Sequence, residues 1–208
     1  VTISGHKIGA PVGVGALIVD PYVQVEPVAH GGGQERNIRS GTLDAPGAAA
    51  LAAAVHHAVV EQEAHAQHVM ALQRDLVAGI AEVVPDAIVN GGEVGDSEQR
   101  LPGNVHVSIP GAEGDALLML LDAAGVDCST GSACTAGIPE PSHVLLAMGV
   151  DERTARSSLR FSFGRTSRPE DVSMILSALP SVVERARRAG SVSASSVGAG
   201  GGAGERRS

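Results

Sequence analysis

The chain has 208 residues, 43% of them hydrophobic, and a formal charge of −8 at pH 7. This length and apolar content allow one domain, or two small ones, with a sizeable core. The negative charge argues against a non-specific nucleic-acid partner, because phosphate recognition draws on a surplus of lysine and arginine. No apolar run reaches the roughly 18 residues that a membrane helix requires. We therefore expect a soluble protein without a nucleic-acid or membrane partner.

Cysteine and lysine are the two rare residue types that bear on chemistry. Cys128 and Cys134 form neither a CxxC metal pattern nor a disulfide framework, which favours a reducing, cytoplasmic environment. Lys7 is the only lysine beside fourteen arginines. Its amine can act as a Schiff-base nucleophile, which a guanidinium cannot do, and the alternative is a single surface lysine. Val1 opens an apolar stretch without the charged start of a signal peptide, so we expect a fragment or a processed chain.

The first part of the chain combines strand patterns with turns. Residues 1–3 and 14–19 predict two strands around a Gly/Pro-rich turn that carries Lys7. Residues 21–42 are irregular, and the three glycines at 31–33 stand near arginine and hydroxyl side chains. This segment is either an anion-binding loop or a flexible surface loop.

An Ala-rich stretch over residues 43–84 predicts a long helix, which Pro46 and Gly47 could break. His65 and His68 fall on one face of this helix, a spacing that metal sites use. No matching cysteine or carboxylate completes a ligand set in the pattern. We therefore favour a solvated helix face and expect no metal site.

The second half of the chain predicts a layer of helices and strands. Residues 104–109 alternate apolar and polar side chains, as half-buried strands do. Further strands are predicted at 87–90, 125–129 and 158–163, and helices at 113–124, 142–149 and 169–188. Together these elements predict an α+β layer. Beyond Gly190 the Gly/Ala/Ser-rich tail carries too little apolar surface to fold.

Three side chains in this half are candidates for chemistry or for the core. Cys134 lies among small residues in GSACTAG, which leave a thiol exposed on a loop, although cysteine is often a buried small hydrophobe. Cys128 lies in an apolar pattern, which favours a buried structural role. Arg160 alternates with Leu159 and Phe161, so its guanidinium lies opposite the apolar face and can clamp a carboxylate, unless it is an ordinary exposed arginine.

The chain carries four motifs in order: SGHKIGAPVGVGAL, HGGGQERNIRSGT, STGSACTAGIPEPSHVLLAMG and SSLRFSFGR. At these distances they resemble the cysteine desulfurases of iron–sulfur cluster assembly, and most of all the actinobacterial members. The resemblance extends from residue 1 to about residue 188. It implies an α/β enzyme of fold type I that uses pyridoxal 5'-phosphate (PLP), takes sulfur from L-cysteine and leaves L-alanine.

The resemblance implies two parts of that fold in this chain. Residues 1–60 would be the C-terminal end of the large PLP-binding domain, and residues 61–189 would form the small C-terminal α+β domain. Residues 190–208, beyond the resemblance, are the tail that composition predicts to be disordered.

The resemblance also implies which side chains hold the cofactor. Lys7 would bind PLP covalently and shuttle the Cα proton, while Ser4 and His6 would contact the cofactor phosphate. Thr42 matches a threonine that reaches the phosphate from the partner subunit, so a homodimer is expected.

Substrate and sulfur would be handled by two further residues. Arg160 would clasp the carboxylate of L-cysteine. Cys134, as a thiolate, would attack the substrate sulfur and end as a persulfide. The sulfur would then pass to an acceptor, either an iron–sulfur scaffold or a tRNA-thiolation protein.

The sequence departs from the family in two respects. The family's aspartate at the pyridine nitrogen and its ring-stacking histidine precede the lysine motif, so we expect this chain alone to be inactive. Val12 replaces a lysine of many relatives, which we expect to be tolerated. Two alternatives remain open, a selenocysteine lyase or other PLP lyase of the same fold, and a binding module that only contacts sulfur acceptors.

Overall fold

A computed structural model describes residues 1–130 and 141–198 of the chain. It divides into two compact units, Val1–Ala64 and His65–Ser208. The domain limits drawn from the sequence stay a prediction. In the described ranges no helix is both long and apolar enough to cross a membrane.

The first unit begins with an antiparallel hairpin. Strand β1 (Thr2–Ser4) pairs with strand β2 (Gly15–Leu17), as the two predicted strands require. Between them lies a 3-10 turn over Gly5–Ile8, which ends at Gly9 with a φ of 91°. Glycine adopts this left-handed conformation without the steric cost that a Cβ brings.

The long helix predicted over residues 43–84 is two helices. Helix α1 spans Ala45–Val60 and helix α2 spans Gln62–Val83. The break falls at Glu61 and not at Pro46, because Pro46 lies in the first helical turn, where no backbone donor is needed. Asp44 caps this turn by accepting a hydrogen bond of 3.0 Å from the Gly47 amide.

The first unit buries almost none of its side chains. Within residues 1–64 only two glycines, Gly5 and Gly47, are buried. Eleven large apolar side chains of this unit are exposed: Val1, Val12, Leu17, Ile18, Val19, Tyr22, Val23, Val28, Leu43, Val59 and Val60. Burial of apolar surface is the main stabilising term of a fold, so this unit contributes little to the stability of the chain.

The second unit is built on a three-stranded antiparallel sheet in the order β3-β4-β5. Its strands are β3 (Ile88–Val89), β4 (Asn104–Ser108) and β5 (Ser158–Ser162). Its remaining helices are α3 (Gly114–Ala123), α4 (His143–Ala147), α5 (Glu152–Arg156) and α6 (Pro169–Gly198).

One face of this sheet carries the core of the molecule. Val105 and Val107 of β4 and Leu159 and Phe161 of β5 are at most 1% exposed. They pack in one cluster with apolar side chains of α2, α3 and α6, among them Leu72, Leu76, Ile80, Leu117, Leu121, Ile175 and Leu179. Strand side chains alternate between faces, so the polar residues of β4 and β5 lie on the opposite face.

Two predictions about the second unit differ from the structure, and one helix was not predicted. Residues 125–129 form no strand, and only an isolated bridge joins Ser129 to Arg160. Helix α5 was not predicted, because five residues give no measurable periodicity, although Asp151 caps it at 3.1 Å. Helix α6 continues to Gly198, past the predicted start of the tail, because adding residues to an existing helix costs far less than starting one.

Candidate functional site

Lys7 lies exposed on the 3-10 turn between β1 and β2. The turn is held in place by the Gly5 amide, which donates to the Val14 carbonyl at 2.9 Å, and by the Ala10 amide, which donates to the Gly5 carbonyl at 3.0 Å. A Cβ on Gly5 would lie only 2.7 Å from the Val14 oxygen. Glycine is therefore needed at this point to bring the lysine turn against the hairpin.

Ser4 and His6 flank the same turn and contact each other. The Ser4 hydroxyl lies 3.1 Å from Nδ1 of His6. In the described part of the chain, nothing hydrogen-bonds or pairs with the Lys7 amine. Ser4, His6 and Lys7 thus lie within four residues of one turn, and of the three side chains Ser4 and His6 contact each other. Their individual roles stay a prediction.

Thr42 follows a loop that is fixed by its own hydrogen bonds. The Gly33 amide donates to the Ser40 hydroxyl at 3.2 Å, and the Gly41 amide donates to the Gln34 side-chain oxygen at 2.9 Å. Thr42 itself is exposed. No hydrogen bond among the described residues joins it to Ser4, His6 or Lys7.

This loop also contains unusual backbone conformations. Glu35, Arg36 and Asn37 have φ values of 48°, 58° and 64°. Three consecutive left-handed residues that are not glycine cost free energy, since each brings its Cβ close to a backbone carbonyl. The anion-binding and flexible-loop interpretations of this segment both stay predictions.

Arg160 is the middle residue of β5 and lies on the polar face of the sheet. Its amide donates to the Ser129 carbonyl at 2.6 Å, and the Ser129 amide donates to the Arg160 carbonyl at 3.0 Å. On the other side, His106 of β4 is its cross-strand partner. The Arg160 side chain is exposed, and no described residue hydrogen-bonds or pairs with its guanidinium. Both neighbouring segments fix its backbone, so the guanidinium projects from a rigid position.

His106 is a residue of this face that sequence reasoning missed. Its Nδ1 lies 3.1 Å from Nδ2 of Asn90, and the same Asn90 nitrogen donates to the Ser108 hydroxyl at 2.9 Å. Burial lowers the pKa of His106, and the positive charges of Arg160 and Arg100 lower it further. The alternation of β4 could have revealed this neighbour of Arg160, had the register between the two strands been known.

Arg100 is a buried arginine near this face, and no acidic side chain among the described residues pairs with it. It is only 9% exposed, and its guanidinium donates to the carbonyls of Asn90 and Gly92 at 2.7 Å each. Burial lowers its pKa. Because its hydrogen bonds are used within the protein, Arg100 stabilises the loop, whereas the Arg160 guanidinium has no partner among the described residues.

Of the two cysteines, only Cys128 lies among the described residues, and Cys134 lies outside them. Cys128 packs against the core and is half-buried. Burial, followed by the negative charges of Asp127 and Asp122, raises the pKa of its thiol to about 11. The thiolate is the nucleophilic form, so Cys128 is a poor nucleophile near neutral pH.

The helix histidines belong to no group of three or more candidate metal ligands in the described ranges. His68 contacts the Ser167 carbonyl through Nε2 at 2.9 Å. Groups of three or more histidine, cysteine, aspartate or glutamate side chains that could hold a metal ion are absent from residues 1–130 and 141–198.

Comparison with known proteins decides the family. A family model described as aminotransferase class-V matches residues 1–175. The chain belongs to the class-V aminotransferase family. It is 52% identical over 188 residues to an IscS-like cysteine desulfurase of Mycobacterium tuberculosis, covering 90% of this chain and 47% of that protein. It is 43% identical over 188 residues to a probable mitochondrial cysteine desulfurase of Dictyostelium discoideum, covering 89% of this chain and 40% of that protein. It thus spans about half the length of these curated relatives.

Solved structures give the fold of this class-V aminotransferase chain. A NifS-like protein from Rickettsia africae ESF-5 matches with a TM-score of 0.75 and 31% identity, over 88% of this chain and 47% of that one. A second NifS-like protein matches with a TM-score of 0.70 and 33% identity, over 88% of this chain and 46% of that one. The predicted fold class, the mixed α/β fold type I of PLP-dependent transferases, is confirmed by this likeness.

Proposed function

We propose that this chain forms part of a PLP-dependent cysteine desulfurase, which takes sulfur from L-cysteine and releases L-alanine. The observation that carries the proposal is the exposed amine of Lys7, the only lysine, on a turn where Ser4 and His6 contact each other at 3.1 Å. Two curated relatives, which match 90% and 89% of this chain, are named as a cysteine desulfurase and a probable cysteine desulfurase.

The chemistry of these side chains fits the cofactor. A deprotonated primary amine condenses with an aldehyde, which a guanidinium cannot do. A hydroxyl and an imidazole can donate hydrogen bonds to phosphate oxygens. Lys7 would thus hold PLP, with Ser4 and His6 at its phosphate, and the bound cofactor would supply an electron sink for negative charge at the substrate Cα. The Lys7 amine, once free, would carry the Cα proton.

Arg160 would orient the substrate. Its guanidinium is exposed and has the planar shape to donate hydrogen bonds to both oxygens of a carboxylate. Because its backbone is bonded to Ser129 on one side and paired with His106 on the other, it would hold the carboxylate at a fixed point. Fixed positioning of a substrate lowers the entropic part of the barrier.

Cys134 would accept the sulfur. As a thiolate it attacks the substrate sulfur, an S–S bond forms, and the C–S bond breaks with its electron pair moving to carbon. Protonation of that carbon completes L-alanine, and Cys134 keeps the sulfur as a persulfide. Cys128 is unsuited to this step, because the pKa of its thiol is raised to about 11.

We further propose that the enzyme is a cytoplasmic homodimer. Thr42 would contact the cofactor phosphate bound by the partner subunit, since it is exposed and has no hydrogen bond to Lys7 or its neighbours among the described residues. The persulfide would pass to a sulfur acceptor, such as an iron–sulfur scaffold or a tRNA-thiolation protein.

Borohydride trapping in the full-length enzyme tests the cofactor assignment. Reduction should fix the cofactor irreversibly on Lys7, and peptide mapping should find it there. Lys7→Arg should abolish the trapped adduct and the release of L-alanine. Cofactor trapped on any other group in the wild-type enzyme would show that Lys7 is not the attachment point.

A further inference from the structure

His106 of β4 and Arg160 of β5 face each other across the two strands, with their side chains on the same face of the sheet. Both backbone hydrogen bonds of Arg160 go to Ser129, on the side away from β4. The His106 carbonyl likewise points away from β5, and it accepts a hydrogen bond of 2.9 Å from the Asn90 amide beside β3. The two residues are therefore a non-hydrogen-bonded antiparallel pair, the type in which facing side chains lie nearest each other.

The contacts of Asn90 fix the protonation of the His106 ring. The Asn90 side-chain nitrogen has two hydrogens, one directed to the Ser108 hydroxyl at 2.9 Å and one to Nδ1 of His106 at 3.1 Å. Since Nδ1 accepts, the neutral ring carries its proton on Nε2. No described residue accepts a hydrogen bond from that nitrogen.

A second donor thus stands beside the Arg160 guanidinium on the same face. Both groups lack an acceptor among the described residues, and His106 is only half-buried, so a ligand can reach it. We propose that His106 binds the substrate carboxylate together with Arg160, donating from Nε2 to one oxygen while the guanidinium holds the carboxylate. This inference rests on the proposed function, in which Arg160 binds the carboxylate of L-cysteine.

The electrostatics of the pair agree with a neutral donor. Burial first, then Arg160 and Arg100, lower the pKa of His106 below its ordinary value of 6.5. The ring therefore stays neutral at physiological pH and keeps Nδ1 as an acceptor for Asn90. It adds a directed hydrogen bond without adding a charge.

Two substitutions separate binding from a purely structural role. His106→Gln places an N–H group where Nε2 stands, whereas His106→Asn places its amide near the Nδ1 position and can keep the contact with Asn90. In the full-length enzyme we expect His106→Asn to raise KM for L-cysteine about tenfold, because a hydrogen bond to a charged group is lost. We expect His106→Gln to change KM by less than about threefold and kcat to change little in either variant.

A second measurement tests the binding of the carboxylate apart from the rest of the substrate. The inhibition constant of propionate, which lacks both the amine and the thiol of the substrate, should rise in His106→Asn in the same proportion as KM. His68→Leu, on an exposed position of α2, serves as the histidine control and should leave both constants unchanged.

The outcomes distinguish this inference from the proposed function. If His106→Gln is impaired and His106→Asn is not, or if both keep a normal KM, His106 does not bind the carboxylate. Arg160→Lys should raise KM and the propionate constant whatever His106 does. A normal KM in Arg160→Lys would instead overturn the carboxylate site of the proposed function.

Discussion

The Gly5 amide donates to the Val14 carbonyl at 2.9 Å, and a Cβ on Gly5 would lie 2.7 Å from that same oxygen. The hydrogen bond that holds the Lys7 turn against the hairpin therefore requires glycine. A real Cβ does not approach a backbone oxygen so closely, so the turn must move away when a side chain is added. Position 5 thus couples the hairpin to the predicted cofactor lysine.

We predict that Gly5→Ala displaces the Lys7 turn and costs about 1–3 kcal/mol locally, as overpacking does. In the full-length enzyme, borohydride trapping on Lys7 should fall at least tenfold while the second unit stays folded. Gly164→Ala is the matched control, because nothing lies within 4 Å of an added Cβ and its φ is not in the left-handed region. Equal trapping in both variants would contradict the prediction.

Much of the second unit was predictable because its patterns are local. The alternation in 104–109 and 158–163 correctly placed Val105, Val107, Leu159 and Phe161 on one face of the sheet. The register between β4 and β5 is not local, since residues far apart in sequence pair across it. For this reason Arg160 could be singled out from its own strand, whereas its neighbour on β4 could not.

The starts, ends and extents of helices and strands were predicted less well, because they depend on surroundings that a local sequence pattern does not contain. Proline in the first turn of α1 acts as a start signal, yet from sequence alone it has the same appearance as a helix breaker. Residues 125–129 are apolar and β-branched in part, but they form only one bridge, which pairs with Arg160. Whether such a stretch becomes a strand depends on how many of its residues pair with the neighbouring strand, which a local pattern does not report.

Cys128 should react slowly with alkylating reagents. With a pKa of about 11, its thiolate fraction at pH 8 is roughly 0.1%, against about a quarter for an unperturbed thiol. We expect its alkylation rate to keep rising tenfold per pH unit through pH 10, measured by peptide mapping in a Cys134→Ser background. Unfolding in urea should restore a plateau above about pH 8.5. A plateau near pH 8.5 in the folded protein would contradict the raised pKa.

The same shift links Cys128 to alkaline stability. A raised pKa in the folded state means that the folded thiol holds its proton more tightly than the unfolded thiol. Its contribution to stability is therefore complete below the unfolded pKa of about 8.5 and is lost as the pH rises toward about 11. In Cys128→Ala, the free energy of unfolding measured in urea should fall less steeply between about pH 8.5 and pH 11 than in the unsubstituted protein. In Cys134→Ala, this fall should be the same as in the unsubstituted protein.

Phe161 should be among the most costly side chains to truncate. It is 1% exposed in the cluster shared by the sheet and the helices, and it is the largest fully buried side chain among the described residues. Phe161→Ala should lower the free energy of unfolding of the second unit by about 3–5 kcal/mol, measured by urea denaturation. The neighbouring Ser162 is exposed, and Ser162→Ala should change the free energy of unfolding by less than about 0.5 kcal/mol. Similar losses in both variants would show that the core does not lie on this face.

The two units should differ most in how readily their backbone opens. Ile18 and Ile109 offer a matched pair, since their amides donate backbone hydrogen bonds of 2.8 Å to Val1 and 2.9 Å to Ser157. The Ile18 side chain is 57% exposed, whereas the Ile109 side chain is fully buried. Because the two hydrogen bonds are nearly equal in length, a difference between the exchange rates of the two amides reports how deeply each hydrogen bond is buried.

In the 208-residue chain we expect the Ile109 amide to exchange with solvent roughly a thousandfold more slowly than the Ile18 amide, measured by hydrogen exchange with mass spectrometry or NMR. The second unit has a buried core that must open first, while the first unit buries only two glycines in residues 1–64. In a full-length enzyme the exposed apolar side chains of the first unit should be covered, and protection of Ile18 should rise by at least tenfold. L-alanine release from L-cysteine, assayed in parallel, should appear only in the protein where Ile18 is protected. Strong protection of Ile18 in the 208-residue chain would show that the first unit is stable with the burial it already has.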